Sequence, residues 1–202
     1  MSQLKLLLTL AIAACSGVAG AQSAGSAAQS SSTGPSSNPA ARATGSGTSA
    51  GAAGMSKADA KMLSDLAEAN IAEIQTGKLA LEKGKSEQAR SFAQKMVDEH
   101  TAALKELQTL AQSKGVKLPE DTDLHHKAIA TALRPLNGDT FDSQYVKRVG
   151  VGDHERTVAL LQKVQKGAQD PELKAMAGKM LPTVQQHLQM AQKLSTATAA
   201  KK

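Results

Sequence analysis

The sequence contains no tryptophan, one tyrosine and two phenylalanines. So few aromatics exclude stacked platforms for nucleic-acid bases and leave little to line a haem pocket. The core of any domain is therefore expected to be Leu, Ala, Val and Met. Cysteine occurs once, at Cys15. This excludes an intramolecular disulfide and, beyond that position, any thiolate metal site or cysteine nucleophile. No acidic residue precedes Asp59, and Lys5 and Arg42 are the charged side chains before residue 57. Long hydrophobic runs are also missing. Residues 6–14 (LLLTLAIAA) form an apolar stretch of nine, too short to span a bilayer. There is no Gly-rich phosphate loop, no HExxH and no plausible Ser-His-Asp grouping. The net charge of +6 is scattered rather than clustered, so nucleic acid is not an expected partner.

The first 21 residues have the layout of an export signal: a basic start through Lys5, the short apolar run, then small residues. Two processing routes are open. Ala19-Gly20-Ala21 before Gln22 is a small-x-small cleavage site for soluble release. Ile12-Ala13-Ala14-Cys15 resembles a lipobox, which would make Cys15 a lipid anchor and the only link to a membrane. Residues 22–55 are nearly all Ser, Ala, Gly, Thr, Pro and Asn, a composition that buries too little apolar surface to offset chain entropy. They are expected to form a disordered linker. The expected address is the periplasm or outer membrane of a Gram-negative bacterium.

Residues 56–197 read as one all-helical domain, with a short tail at 198–202. Ser56 with Asp59 suggests a capping box, and helix 1 is expected from Lys57 to about Lys83, stopped by Gly84. Ser86 caps helix 2, which ends before Gly115. A short connector helix is expected from about Asp123 to Leu133, ending at Arg134-Pro135. Helix 3 starts at Asp139 and reaches about Lys166. Asp170-Pro171-Glu172 opens helix 4, which carries Pro182 and should kink there. The fold class is all-α: a ferritin-like four-helix bundle with a short connector helix between helices 2 and 3. The long link leaves two orders open, a crossover that makes helices 2 and 3 parallel, or a cap on an up-down bundle.

Projected at 100° per residue, each long helix carries one ionisable group in the middle of its apolar stripe. Glu73 sits among Met62, Leu66, Ala69, Gly77, Ala80 and Leu81. His100 sits among Ala89, Ala93, Met96, Val97, Ala103, Leu104, Leu107 and Ala111. His154 lies with Gly150, Val151, Val158, Leu161 and Ala168, on a stripe broken by Lys147 and Gln165. His187 lies with Leu173, Met176, Met180, Val184, Ala191 and Leu194. All four are near mid-helix, so they are expected to share one layer of the core. A lone buried carboxylate is costly and needs a partner. Two readings follow: a hydrogen-bonded polar layer that fixes helix register, or a site for one divalent metal ion held by Glu73, His100, His154 and His187. The donors suit Zn, Fe, Mn or Cu, and Met96 and Met180 keep Cu(I) open, although core filling is the ordinary role of methionine. His125 and His126 are expected to be exposed. Asp98, Glu99, Asp153 and Glu155 lie off the stripe centres and are expected on the solvated face, within reach of an imidazole.

GKLALEK (77–83), FAQKMVDEHTAALKEL (92–107), FDSQYV (141–146), His154 with Leu160-Leu161, and LPTVQQHLQMA (181–191) together resemble a bacterial family named domain of unknown function 4142. The resemblance spans residues 58–194. It implies an exported protein with a ferritin-like four-helix fold and brings no assigned activity. Ferritin-like di-metal sites carry Glu three residues before His on two helices. Here Val97 and Val184 stand at those positions, which points to a mononuclear site or none.

The expected function is that of an exported envelope bundle with a binding or stress-related role and one metal ion in its core. The alternative is a ferritin-like metal-dependent redox enzyme or metal-storage protein. Whether it is an enzyme stays open at this level. The export reading has a direct check in the intact mass of protein recovered from the envelope. A chain starting at Gln22 means release, a diacylated Cys15 means anchoring, and retained Met1 in the cytoplasm would contradict both.

Overall fold

The computed structural model describes residues 54–199. The expected signal and all but the last two residues of the linker lie outside them. Among the described residues there is no strand. The elements are α1 (Lys57–Lys83), α2 (Glu87–Ser113), α3 (Leu124–Leu133), α4 (Gly138–Tyr145), a π-helical segment (Val146–Asp153), α5 (His154–Gly167) and α6 (Pro171–Ala199). The segment from α4 through α5 is one continuous rod, so the domain consists of four long rods and the connector helix α3.

Two aspartates fix how these rods run. Ser56 accepts from Asp59 N at the start of α1, but the Asp59 carboxylate does not complete the expected capping box. It is buried and accepts from Gln169 N (3.0 Å) and Asp170 N (2.7 Å) in the α5–α6 turn. Asp142, near the start of the third rod, does the same for the α1–α2 turn, accepting from Lys85 N (3.2 Å) and Ser86 N (2.7 Å). The start of α1 therefore meets the end of α5, and the end of α1 meets the start of α4. So α1 is antiparallel to both α2 and the third rod, which makes α2 and the third rod parallel. Of the two orders open from the sequence, the crossover is the one present. The connector travels back along α1: Thr122 Oγ1 donates to Glu68 O, Gln75 Nε2 to Asp121 Oδ1, and Lys83 Nζ to Asn137 Oδ1.

The two clamped turns also change how Gly84 stops the helix. A glycine stop commonly works by entering the left-handed region. Gly84 has φ −68° and ψ 139°, and Ala168 at the matching point of the other hairpin has φ −64° and ψ 140°. Gly84 does end α1 as expected, but through space rather than a left-handed turn: a Cβ there would lie 2.6 Å from Ala80 O and 3.0 Å from the clamping Asp142 Oδ1.

The core has two parts. One end packs Leu63, Leu66, Leu107, Leu110, Leu161, Val164, Leu173 and Val184. The other end packs Phe92, Phe141 and Tyr145 with Met96, Leu133, Val146 and Val149. The expected Leu/Ala/Val/Met core thus holds for one end only. At the other, all three aromatics of the chain are buried together, with Phe141 and Tyr145 stacked at 5.9 Å.

The π-helical segment resolves the broken stripe of the third rod. Wider turns place more residues in each revolution. The inward line before His154 therefore slips by about one residue: Val146, Val149 and Gly150 are buried, while Lys147 faces solvent. Gly150 is needed for closeness, because a Cβ there would lie 2.9 Å from Ala191 Cβ and 3.4 Å from Phe92 Cε1. Helix α6 continues through Pro182, whose side is exposed.

Hydrogen bonds to a charged partner contribute about 1.5–3 kcal/mol. Asp59→Ala and Asp142→Ala should each lower unfolding free energy by about that much in urea titration. Asp142→Asn should recover part of the loss, since an amide oxygen still accepts. Wild-type stability in both alanine variants would show that the clamps are passive.

Candidate metal centre

Between the two apolar clusters lies a polar layer. Asn70, Glu73 and Thr76 come from α1, His100 from α2, His154 from the first turn of α5 and His187 from α6, and all are buried. The three imidazoles form a near-equilateral triangle, with ring centroids 5.6 Å (100–154), 5.4 Å (100–187) and 5.5 Å (154–187) apart. One nitrogen from each ring can be chosen so that all three lie within 4.8 Å of one another. A tetrahedral ion with Zn–N or similar bonds of about 2.0–2.1 Å spaces its nitrogens by about 3.3 Å, so a small inward shift closes the set.

Each ring has one nitrogen occupied and one empty. His100 Nδ1 is 2.9 Å from Asn70 Oδ1. His187 Nε2 is 2.6 Å from Glu99 Oε2. His154 Nδ1 has two acceptors near, Val149 O at 3.1 Å and Glu73 Oε1 at 3.3 Å. One N–H serves one of them well, and the bond goes to Val149, leaving both Glu73 oxygens without a hydrogen bond. The Val149 carbonyl lies five residues back, where the widened helical turn brings it to the imidazole. The remaining nitrogens, His100 Nε2, His154 Nε2 and His187 Nδ1, are buried and unpartnered. These partners fix the tautomers: protons sit on His100 Nδ1, His154 Nδ1 and His187 Nε2, and lone pairs remain on the empty nitrogens.

The structure thus brings together three of the four residues selected from the sequence. Glu73 is in the same layer but stands behind His154, at its Nδ1 rather than at the empty Nε2. Two partners were not singled out by the stripes. Asn70 is a short polar residue on the face of α1, and Glu99, expected on the solvated face, bridges Lys95 outside and His187 inside. His125 is exposed as expected, whereas His126 is mostly covered and holds Asp123 at 2.9 Å. Asp153 is buried, with His125 Nε2 3.6 Å away.

Electrostatics favour neutral imidazoles. Burial, and then the neighbouring His154 and His187, hold His100 well below the ordinary value. Burial lowers His154 to about 4, against the pull of the Val149 carbonyl. Burial also lowers His187, although Glu99 opposes it. Glu73 is pushed well up by burial and then by Asp153, so it holds its proton. Glu99 is raised by partial burial, but the bonds from Lys95 and His187 outweigh this and keep it ionised.

The family model for a domain of unknown function, DUF4142, matches residues 44–194. The chain belongs to this family. Among curated proteins, none matches. Two solved structures share the fold. A DUF305 fragment from Deinococcus radiodurans superposes with TM-score 0.64 at 14% identity, covering 71% of this chain and 99% of that one. A second, described as CopM in the Cu(II)-bound form, gives TM-score 0.58 at 14% identity, covering 69% of this DUF4142 chain and 96% of that one. At such identity the likeness is one of fold.

The sign of the pH dependence in the metal-free DUF4142 domain follows from these shifts. Each histidine binds its proton more weakly when folded, so its contribution is complete above the ordinary 6.5 and is lost as pH falls below it. Glu73 and Asp153 act oppositely, because burial raises both and their protons favour the folded state. As pH rises towards 6.5 the three histidines make the folded state more stable, and the raised Glu73 and Asp153 carboxyls oppose them. Urea titrations in chelator should therefore show stability increasing from about pH 5 to 6.5, more steeply in Glu73→Gln, which removes one opposing group. Stability that falls with pH over that range in Glu73→Gln would contradict these assignments.

Proposed function

We propose that this DUF4142 protein binds one divalent transition-metal ion in the cell envelope, through His100 Nε2, His154 Nε2 and His187 Nδ1. The observation that carries this reading is the pairing on every ring of one anchored nitrogen with one buried, empty nitrogen. Metal-binding histidines typically donate their second N–H to a carboxylate or carbonyl, which orients the ring and raises its basicity. Asn70, Val149 and Glu99 supply those acceptors here.

The register-layer reading accounts for less. A layer built for structure would pair its polar atoms, since each buried polar atom left unpaired costs about 1–3 kcal/mol. Three buried, unpartnered nitrogens on rings whose donor atoms come within 4.8 Å of one another carry that cost together, and an ion removes it. Glu73 fits as a neutral group behind His154. Val97 and Val184, in place of the glutamates of a di-metal centre, favour a single ion and argue against ferritin-like oxidase or storage chemistry.

Copper(II) is the favoured ion. Imidazole suits it, and it heads the affinity order of the divalent first-row metals, with zinc(II) next in line for a three-histidine site. The Cu(II)-bound state of CopM, on the same fold, supports this choice. The export signal supports a periplasmic address, where the protein would bind and hold the ion.

Titration of metal-free protein with Cu(II) should show one equivalent bound. At free metal 100 times Kd, stability should rise by about 2.7 kcal/mol. His100→Ala, His154→Ala or His187→Ala should abolish the rise, whereas His125→Ala and His126→Ala should not. Glu99→Ala should weaken binding by about 10–100-fold, the usual loss when an orienting partner is removed. Wild-type stoichiometry in all three histidine variants would refute the site.

A further inference from the structure

The empty nitrogens of the centre are sealed from solvent, so an ion needs a way in. One cavity of about 360 Å³ lies between α2 and α6, and His100 and His187 form part of its lining together with Glu99, Glu106, Met180 and Thr183. The cleft on the opposite face, between α1, α3 and α5, is lined by Asp65, Glu68, Asp123, His125 and His126 and touches none of the three ligand histidines. Glu99 belongs to both worlds. Its side chain is 35% exposed, one oxygen faces Lys95 at the surface and the other holds His187 Nε2 at 2.6 Å. Across the mouth, Lys179 Nζ binds both oxygens of Glu106 at 2.8 Å, with both side chains largely in water. An exposed pair of this kind contributes about 0–1 kcal/mol, so the strap opens readily.

We propose that the α2–α6 cleft is the port through which the ion enters and leaves, with Glu99 taking it up before His187 turns to bind it. The cleft supplies what a cation needs in sequence. Glu106 and Glu99 offer carboxylate oxygens at the wall, and the Met180 thioether lies beside them. His187 then stands at the inner end, tied to Glu99 by one hydrogen bond. Transfer requires that bond to loosen so that the ring swings aside and the ion passes from the carboxylate to the empty Nδ1, and the Nε2–Glu99 bond then re-forms behind it. The proposal rests on the three-histidine reading of the centre, and adds to it a route and a residue that controls the rate.

Rapid mixing of the full-length metal-free protein with Co(II), followed by visible absorbance, separates the two. Thr183→Trp fills the cleft from an exposed position without touching a ligand. It should slow association and dissociation by the same factor, about tenfold for about 1.4 kcal/mol of added barrier, and leave Kd unchanged. Gln186→Trp, one turn along the same wall, serves if Thr183→Trp fails to fold. Glu99→Gln keeps an acceptor for His187 but loses the charge, so association should slow and the deficit should shrink as salt rises. Gln108→Trp, exposed on α2 and outside the cavity lining, should leave both rates as in wild type. If Co(II) binds in a histidine-dependent way and neither tryptophan variant changes the rates, the port is elsewhere and only this proposal falls. If Co(II) and Cu(II) both fail to bind the wild-type chain, the centre itself is wrong and both fall.

Discussion

The constraint on which the rest of the structure depends is the desolvation of three imidazoles at one point of the core. A buried histidine is tolerable when both nitrogens are neutral and at least one is bonded. Here every ring meets that minimum once, and from a different kind of acceptor: an amide on α1, a main-chain carbonyl on its own rod, and a carboxylate on α2 that reaches the surface. Each ring is thus held by its own anchor, and its other nitrogen is left buried and without a partner among the described residues.

That convergence in turn demands precise rod placement. Three rings on three rods coincide in height only if the rods cannot slide. The two aspartate clamps provide this. Asp59 and Asp142 sit at opposite ends of the bundle, and each locks the turn of the hairpin it does not belong to. Both clamps join the first two rods to the last two, so neither hairpin can shift without breaking one of them. Gly150 then lets α6 approach the third rod closely, and the wide turns before His154 bring the Val149 carbonyl within reach of Nδ1. A regular α-helix through this stretch would have left Lys147 on the inward line.

Much of this was legible in the sequence because helical periodicity is a direct record of burial. His100, His154 and His187 lay on stripe centres, and the structure buries all three. Element boundaries followed from Ser56, Ser86, Asp123 and Asp170, short side chains that can accept from a first-turn N–H. What stayed hidden has a common cause: it depends on long side chains or on a changed period. That a carboxylate off the stripes could reach an imidazole was legible, but which of Asp98, Glu99, Asp153 and Glu155 does so for His187 was not; it is Glu99. Asp59 read as part of a local cap because the sequence does not show which distant turn a carboxylate meets. The π-helical stretch breaks the 100° rule on which every stripe was drawn, and Lys147 on the His154 line was its trace. The aromatic end of the core was missed by treating three rings as too few to matter, when they are the largest side chains available and gather in one cluster.

The charges around the centre divide by depth, and this division suits a cation. Glu73, fully enclosed, is held neutral by burial and by the nearby Asp153. Glu99, half in water and bonded to Lys95, stays ionised. Glu99 therefore places an ionised carboxylate on the α2–α6 side, at the cleft, while Glu73, facing the centre from α1, carries none. On the proposed reading, a divalent ion is drawn from the side on which Glu99 remains ionised. Reversing the two positions would place a charge in the sealed interior, where it costs several kcal/mol without a partner, and leave the entrance with nothing to attract the ion. The same burial that makes Glu73 a poor anion keeps the imidazoles unprotonated near neutral pH, so enclosure produces both the donor set and the asymmetry that feeds it.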